Sequence, residues 1–366
     1  MINTDDFIKC LKMNNFSPFI GVPCSYLKPL ISCLELNYSK DYINAVNEGN
    51  AVSYAFGSAL AGKKPIILMQ NSGIGNFINP YVTYIKLSKI PLLFIISIRN
   101  NDSGDTEQHD YMGANTKKIL DDLGIENLDI TDSFDLTTIH TIEKLQSQNK
   151  SVALLLKNKS FNFSKSKNKS GPHDFNRNFL PSYKEVFNFI KTTRNKSVYY
   201  CLGLGYISRS FYQELNDPSH CLFVVGAMGH TSNIAAGIAS YTNKKIVAIE
   251  GDGSLLMHLE NLAFIGNQNL SNFIHIIMDN GCYNSTGGQK TISKDVDLCS
   301  IANNCGYDKT YNVKSLNDFS IAYKYCLNNK GKYFIRVHTS KDIIPGKRPV
   351  ITVSENTLSI KKILEE

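Results

Sequence analysis

KKIVAIEGDGSLLMHLENLAFIGNQNLSNFIHIIMDNG, residues 244–281, is the stretch that decides the fold. A continuous apolar run, Ile246 to Ile249, leads into Gly251-Asp252-Gly253, and a second, Phe273 to Met278, leads into Asp279-Asn280-Gly281. Apolar residues between them recur at helical spacing, which predicts a helix from Leu255 to Ile265. A strand-helix-strand unit of this length sets both strand ends side by side, with Gly251 to Asn280 spanning 30 residues. Asp252 and Asn280 then present oxygens to one point. A carboxylate and an amide suit Mg2+ or Ca2+, with phosphate, water and a backbone carbonyl in the remaining positions. The glycines let the backbone approach a diphosphate closely. Gly-Asp-Gly is also an ordinary turn; its place at a strand end and the paired Asn280 favour the metal-diphosphate reading.

The same alternation extends in both directions. Upstream, PFIGVP (18–23), YINAV (42–46), PIILMQ (65–70), PLLFIISI (91–98) and SVALLL (151–156) read as strands, and NEGNAVSYAFGSALAG (47–62) as a helix stopped at Gly62. The second half supplies SVYYCLGLG (197–205), CLFVVGAMG (221–229) and, last, YFIRVHT (333–339). Strands that are continuously apolar and separated by helices imply an α/β fold, a mostly parallel sheet covered by helices on both faces in each half. Most of these strands end in a Gly-bearing loop, and ligands in such sheets bind at the carboxyl ends of the strands. With 366 residues, 42% of them apolar, the chain is long enough for two cores. The expected division is a first domain at 1–156, a basic polar linker at 157–181 and a second domain at 182–366.

Net charge is +7, from 39 Lys+Arg against 32 Asp+Glu. Five Lys and one Arg against one Asp cluster between Lys157 and Arg177, in a Ser- and Asn-rich segment without apolar periodicity. That reads as a solvated linker, and no aromatic-interleaved basic motif points to nucleic acid. No apolar run approaches a membrane span, and the opening MINTDDFIKC is not a signal peptide, so a cytoplasmic protein is expected. Nine cysteines at irregular spacing, none in Cys-x-x-Cys, suggest neither a disulfide framework nor a zinc site. GLGYIS (203–208) lacks the last glycine of a dinucleotide loop, which argues against a nicotinamide cofactor.

Gly-Asp-Gly followed some 30 residues later by Asn280 resembles the thiamine diphosphate signature. The chain is similar to one branch of that superfamily, the phosphonopyruvate and sulfopyruvate decarboxylases. The matching stretches are GVPCS (21–25), NEGNA (47–51), MQNSGIGN (69–76), EQH (107–109), GAMGH (226–230), EGDGSLLMH (250–258) and DNGCYNSTGGQ (279–289), in order across both halves. The resemblance implies a pyrimidine-binding and a diphosphate-binding domain without a middle domain, meeting across subunits of a homo-oligomer. It implies thiamine diphosphate and Mg2+ as cofactors. The implied reaction is non-oxidative decarboxylation of 3-phosphonopyruvate to phosphonoacetaldehyde and CO2, a step towards 2-aminoethylphosphonate. The alternatives are 3-sulfopyruvate as substrate and a non-catalytic relic of the fold. Two positions depart from the family pattern: Asp279 stands where Asn is usual, and Cys24 where an acid is usual.

Residue roles follow on the same terms. Glu48 reads from sequence as a first-turn helix acid; the resemblance makes it the glutamate that holds a proton on N1′ of the aminopyrimidine. Gly226 and Met228 match the loop that bends the cofactor over an apolar wedge, although Met228 alone reads as a core residue. His230 is either a helix-start residue or a polar active-site contact. Gly251, Gly253, Ser254 and Asn280 are expected at the diphosphate, and Asp252, Asn280 and Cys282 around the metal. Asn71, Ser72, Gly73, Gly75 and Asn76 read from sequence either as an anion cradle or as a capped strand-to-helix turn; the resemblance implies a role at the cofactor or substrate, with Asn71 and Gly73 at the cofactor. The expected substrate contacts are Ser25, Asn71, Ser72, Arg99, Gln108 and His109, with His109 also a candidate proton donor. Arg99 is either the partner of the substrate's anionic tail or a surface salt bridge. His258 is placed inside a helix, and His140, His173, His220, His275 and His338 carry no signal.

Overall fold

The computed structural model describes residues 1–99, 105–130, 134–162, 180–195, 197–215, 217–341, 343 and 346–365. Most of the expected basic linker (163–179) and the start of the polar loop after PLLFIISI (100–104) lie outside the described residues. The chain divides into two compact units, Met1–Gly171 and Pro172–Glu366.

In the first unit, β1 (Phe16–Gly21), β2 (Tyr42–Asn44), β3 (Lys64–Gln70), β4 (Leu93–Ser97), β5 (Glu126–Asp129) and β6 (Val152–Leu156) form a six-stranded sheet. Its order is β2-β1-β3-β4-β6-β5, and every pairing is parallel. Alternate residues feed two separate cores: Leu93 and Ile95 pack on one face, Phe94 and Ile96 on the other. Both faces are therefore buried, which is why these strands read as unbroken apolar runs. The helix Glu48–Leu60 starts where the Asn47 side chain accepts a hydrogen bond from Gly49 N. It ends before Gly62, whose φ is +81°.

The second unit repeats the plan. Strands β7 (Val198–Leu202), β8 (Cys221–Phe223), β9 (Lys245–Gly251), β10 (Asn272–Asp279), β11 (Lys309–Val313) and β12 (Gly331–His338) lie in the order β8-β7-β9-β10-β12-β11, again all parallel. The two orders match position for position. In each sheet the strand order reverses between the first and third strands, the place where such sheets bind ligands. Gly251 on β9 pairs in register with Met278 on β10, so the Asp252 and Asp279 ends lie side by side.

Two expectations are corrected. The single helix predicted at 255–265 is two, Asp252–Met257 and Asn261–Gly266, interrupted at His258 (φ −136°, ψ 59°). The interruption has a tertiary cause: the His258 ring packs at a tilt of 33° against His230, with centroids 4.2 Å apart, and Asn261 is drawn onto the Gly229 carbonyl. Strands β5 and β11 were not legible, since both lie at sheet edges and carry polar, half-exposed residues. Among the described residues, no helix is long and apolar enough to cross a membrane.

Candidate active site

Glu48, the first residue of its helix, is 4% exposed, and its Oε2 accepts a hydrogen bond from Asn76 Nδ2 (2.7 Å). Gly73 lies directly beneath it: a Cβ there would overlap the Glu48 carboxyl group. The NSGIGN stretch therefore acts on Glu48. It forms a turn at Asn71–Gly73 and a helix from Ile74, and its Asn76 holds the carboxylate. Of the two readings of 71–76, the strand-to-helix turn is what the backbone shows. Buried Asn71 uses its amide internally, with Nδ2 donating to Thr116 Oγ1 (3.1 Å) and Oδ1 accepting from Arg99 N (3.2 Å). Ser72 is exposed and accepts from the Gln70 amide.

At the carboxyl ends of β1, β3 and β4 a second group assembles. Arg99 donates from Nε (2.8 Å) and Nη2 (2.6 Å) to the two carboxylate oxygens of Asp105, and from Nη1 to Ser25 Oγ (3.1 Å). Its guanidinium lies over the Tyr26 ring, 4.5 Å from the centroid. The pair is no surface salt bridge, with side-chain exposures of 15% and 4%. Arg99 is thus compensated in charge, which sequence alone did not indicate. Cys24, 1% exposed, has its sulfur 3.0 Å from Ser97 Oγ, and burial pushes its thiol pKa up. Gln108 and His109 form the turn leading into the helix Asp110–Leu123, with Gln108 Nε2 3.4 Å from His109 Nε2; His109 is buried.

In the second unit Asp252 opens its short helix and is 1% exposed. Its Oδ2 accepts from the Thr291 hydroxyl. Asp279 beside it accepts from Arg336 Nε (2.7 Å), Ser293 Oγ (2.9 Å) and Gly281 N (3.0 Å). Burial, and then the charge of Asp279, push the Asp252 carboxyl pKa up to about 7. Arg336 compensates Asp279; among the described residues, Asp252 receives hydroxyl and backbone donors. A buried carboxylate in that state suits a divalent cation. Among the described residues, no cluster of three or more His, Cys, Asp or Glu could hold a metal. With the Asp279 carboxylate held by Arg336, the donors left at these strand ends are the Asp252 carboxylate, the amide oxygen of Asn280 and backbone oxygens, a hard set appropriate to Mg2+. Asn280 Oδ1 currently accepts from Cys282 N (3.0 Å), and the Cys282 thiol contacts Asn284 Oδ1 (2.9 Å), which leaves Cys282 a backbone oxygen as its hard donor.

The residues also fit a diphosphate. A Cβ on Gly251 or Gly281 would enter open space, whereas one on Gly253 would overlap the Tyr283 ring. Thr231 and Ser232, fully buried at the start of the helix after GAMGH, carry hydroxyls with no hydrogen-bond partner among the described residues. In the GAMGH loop Ala227 (φ +47°) and Gly229 (φ +87°) flank Met228. Ser254, expected at the diphosphate, has its hydroxyl engaged elsewhere: Oγ accepts from Gly229 N (3.0 Å) and donates to Glu250 Oε2 (2.7 Å). Glu250 continues to His275, a residue read as carrying no signal. The available signal was a polar residue in each of two otherwise apolar strands, KIVAIE and FIHII.

Two parallel sheets with acid-amide and Gly-rich strand ends define the class, the thiamine pyrophosphate enzymes. Residues 2–119 match the N-terminal TPP binding domain of those enzymes, and residues 204–337 the C-terminal TPP binding domain. Over 97% of this chain and 93% of the relative, the sequence is 30% identical to a phosphonopyruvate decarboxylase of Streptomyces viridochromogenes. It is 27% identical to a sulfopyruvate decarboxylase of Methanosarcina acetivorans over 97% of each chain. A sulfopyruvate decarboxylase subunit beta of Methanocaldococcus jannaschii is 39% identical over 35% of this chain and 68% of its own length. The chain belongs to the phosphonopyruvate decarboxylase family of thiamine diphosphate enzymes.

Proposed function

We propose that the protein decarboxylates 3-phosphonopyruvate to phosphonoacetaldehyde and CO2, using thiamine diphosphate held through Mg2+. The observation that carries this reading is the match to a phosphonopyruvate decarboxylase along nearly the whole of both chains. Thiamine diphosphate, when bound, supplies the carbon nucleophile that adds to the ketone and the electron sink that lets CO2 leave. Asp252, Asn280 and the Cys282 carbonyl hold the metal, and Gly251 and Gly253 let the diphosphate approach. Glu48, positioned by Asn76 and by the space above Gly73, holds a proton at N1′ of the aminopyrimidine. Met228 presents an apolar side chain to the cofactor. Arg99 and Ser25 receive the anionic tail of the substrate, whose role is binding and discrimination. His109 is the candidate proton donor to the product carbon. The active assembly is a homo-oligomer in which a pyrimidine-binding unit of one copy serves a diphosphate-binding unit of another.

One observation favours 3-sulfopyruvate as the substrate instead. Asp105 already cancels the Arg99 charge, and a compensated arginine suits a singly charged sulfonate better than a doubly charged phosphonate. A side-by-side measurement of kcat/KM on phosphonopyruvate, sulfopyruvate and pyruvate decides between them. Phosphonopyruvate is expected to lead. A tenfold preference for sulfopyruvate, about 1.4 kcal/mol of discrimination, would overturn the substrate and keep the reaction class. Absence of thiamine diphosphate binding in calorimetry would overturn both.

A further inference from the structure

Glu250 and His275 are wholly buried, both side chains at 0% exposure, and no role described so far uses them. Ala248 on β9 pairs with His275 on β10. Glu250, two residues further along the same face, is therefore the diagonal neighbour of His275. The side chains meet with Glu250 Oε1 2.9 Å from His275 Nε2. Ionisable groups in a sheet interior are costly unless fully partnered, so the partners matter. Behind the pair, the Tyr307 hydroxyl lies 3.2 Å from His275 Nδ1. Ahead of it, Ser254 Oγ donates to Glu250 Oε2 and accepts from Gly229 N. A carboxylate only accepts. Glu250 therefore draws the Ser254 proton to itself and leaves the Ser254 lone pairs to the Gly229 N–H. Asn261 Nδ2 grips the other side of the same residue, donating to Gly229 O (2.6 Å).

The loop that these bonds reach needs holding. Ala227 is a non-glycine residue at positive φ and Gly229 follows at positive φ, with Met228 between them. Such a conformation persists only when its surroundings over-determine it. We propose that Glu250 and His275 are positioning residues that act through Ser254 on the 226–229 loop and fix where Met228 stands. The link to turnover rests on the reading of Met228 as the side chain that meets the cofactor; the clamp itself does not.

The 366-residue chain has seven methionines, so methyl-13C-methionine labelling gives a sparse spectrum in which Met228→Leu identifies the loop resonance. Without cofactor, His275→Gln and Glu250→Asp are each expected to move or broaden the Met228 methyl signal and to leave Met13 and Met69, in the other unit, in place. With thiamine diphosphate and Mg2+ added, kcat should fall about tenfold while the substrate KM stays within about twofold. Ser254→Ala removes a single hydroxyl oxygen and disturbs neither member of the Glu250–His275 pair, which keeps the test open if the substitutions at that pair do not fold; it too should move the Met228 signal. A folded His275→Gln, Glu250→Asp or Ser254→Ala protein with an unmoved Met228 signal, even one with a lowered Tm, overturns the clamp. A wild-type Met228 signal that ignores thiamine diphosphate and Mg2+ overturns instead the reading of Met228, and with it the predicted effect on kcat.

Discussion

Gly73 lies in the turn after β3 and Gly251 closes β9, and their surroundings assign them different work. The place of a Cβ at Gly73 is taken by the Glu48 carboxyl group, 25 residues away in sequence; at Gly251 nothing in the chain comes within 4 Å. Gly73→Ala is therefore expected to displace Glu48 and to cost about 1–3 kcal/mol in urea unfolding, as overpacking does. Its turnover should fall as that of Glu48→Gln does. Gly251→Ala should unfold within about 1 kcal/mol of the wild type yet bind thiamine diphosphate and Mg2+ more weakly in calorimetry. A stability loss at Gly251 as large as at Gly73 would mean that both glycines serve internal packing alone. Sequence marked both positions as glycine-rich turns. The difference between them required knowing what lies across the gap.

At the scale of elements, local signals set most boundaries. The helix Tyr183–Thr193 begins with a capping box: Glu185 N donates to Ser182 Oγ (3.2 Å) while the Glu185 carboxylate accepts from Ser182 N (2.7 Å). The Ser182 N–H and then its hydroxyl hold the Glu185 carboxyl pKa below its ordinary value. A depressed carboxyl contributes stability that is present above the unfolded pKa and is lost as the pH falls through the folded one. Ser182→Ala should then cost about 1 kcal/mol near neutral pH, with the gap to wild type narrowing once Glu185 is protonated. Urea melts at about pH 7 and about pH 3 check this; a gap that widens on acidification would contradict it. Elsewhere tertiary contacts overrode local pattern. The apolar spacing of LLMHLENLAF is that of one helix, but the His258–His230 ring contact and the Asn261–Gly229 bond break it in two. Strands β5 and β11 have no apolar run: both lie at sheet edges and carry polar, half-exposed residues.

At the scale of the whole molecule, the two units share one strand order, so the chain carries the same sheet plan twice. Each has its own buried cores. Glu48 belongs to the first unit and Asp252 to the second, so under the proposed function a variant of each is expected to disable a different unit. If the active assembly pairs the units across two copies, mixing Glu48→Gln with Asp252→Ala protein should restore activity. Random exchange into dimers makes half of them mixed, each with one intact site of two, or about a quarter of wild-type activity. No recovery after subunit exchange, shown to have occurred by native mass spectrometry, would place both residues of a working site on one chain.

The sequence by itself determined the parallel α/β architecture, the two units, the strand ends that carry Asp252 and Asn280, and the helix start at Glu48. These follow from short-range causes: continuous apolar runs require burial on both faces, and glycines and capping residues fix where strands turn into helices. Tertiary structure alone decided how the polar side chains pair. Arg99 with Asp105, Glu48 with Asn76, Asp279 with Arg336, and Glu250 with His275 and Ser254 are contacts in space. A residue's type states which partners it can accept. Which one it meets depends on strand order and register, and these are set by the packing of the whole sheet.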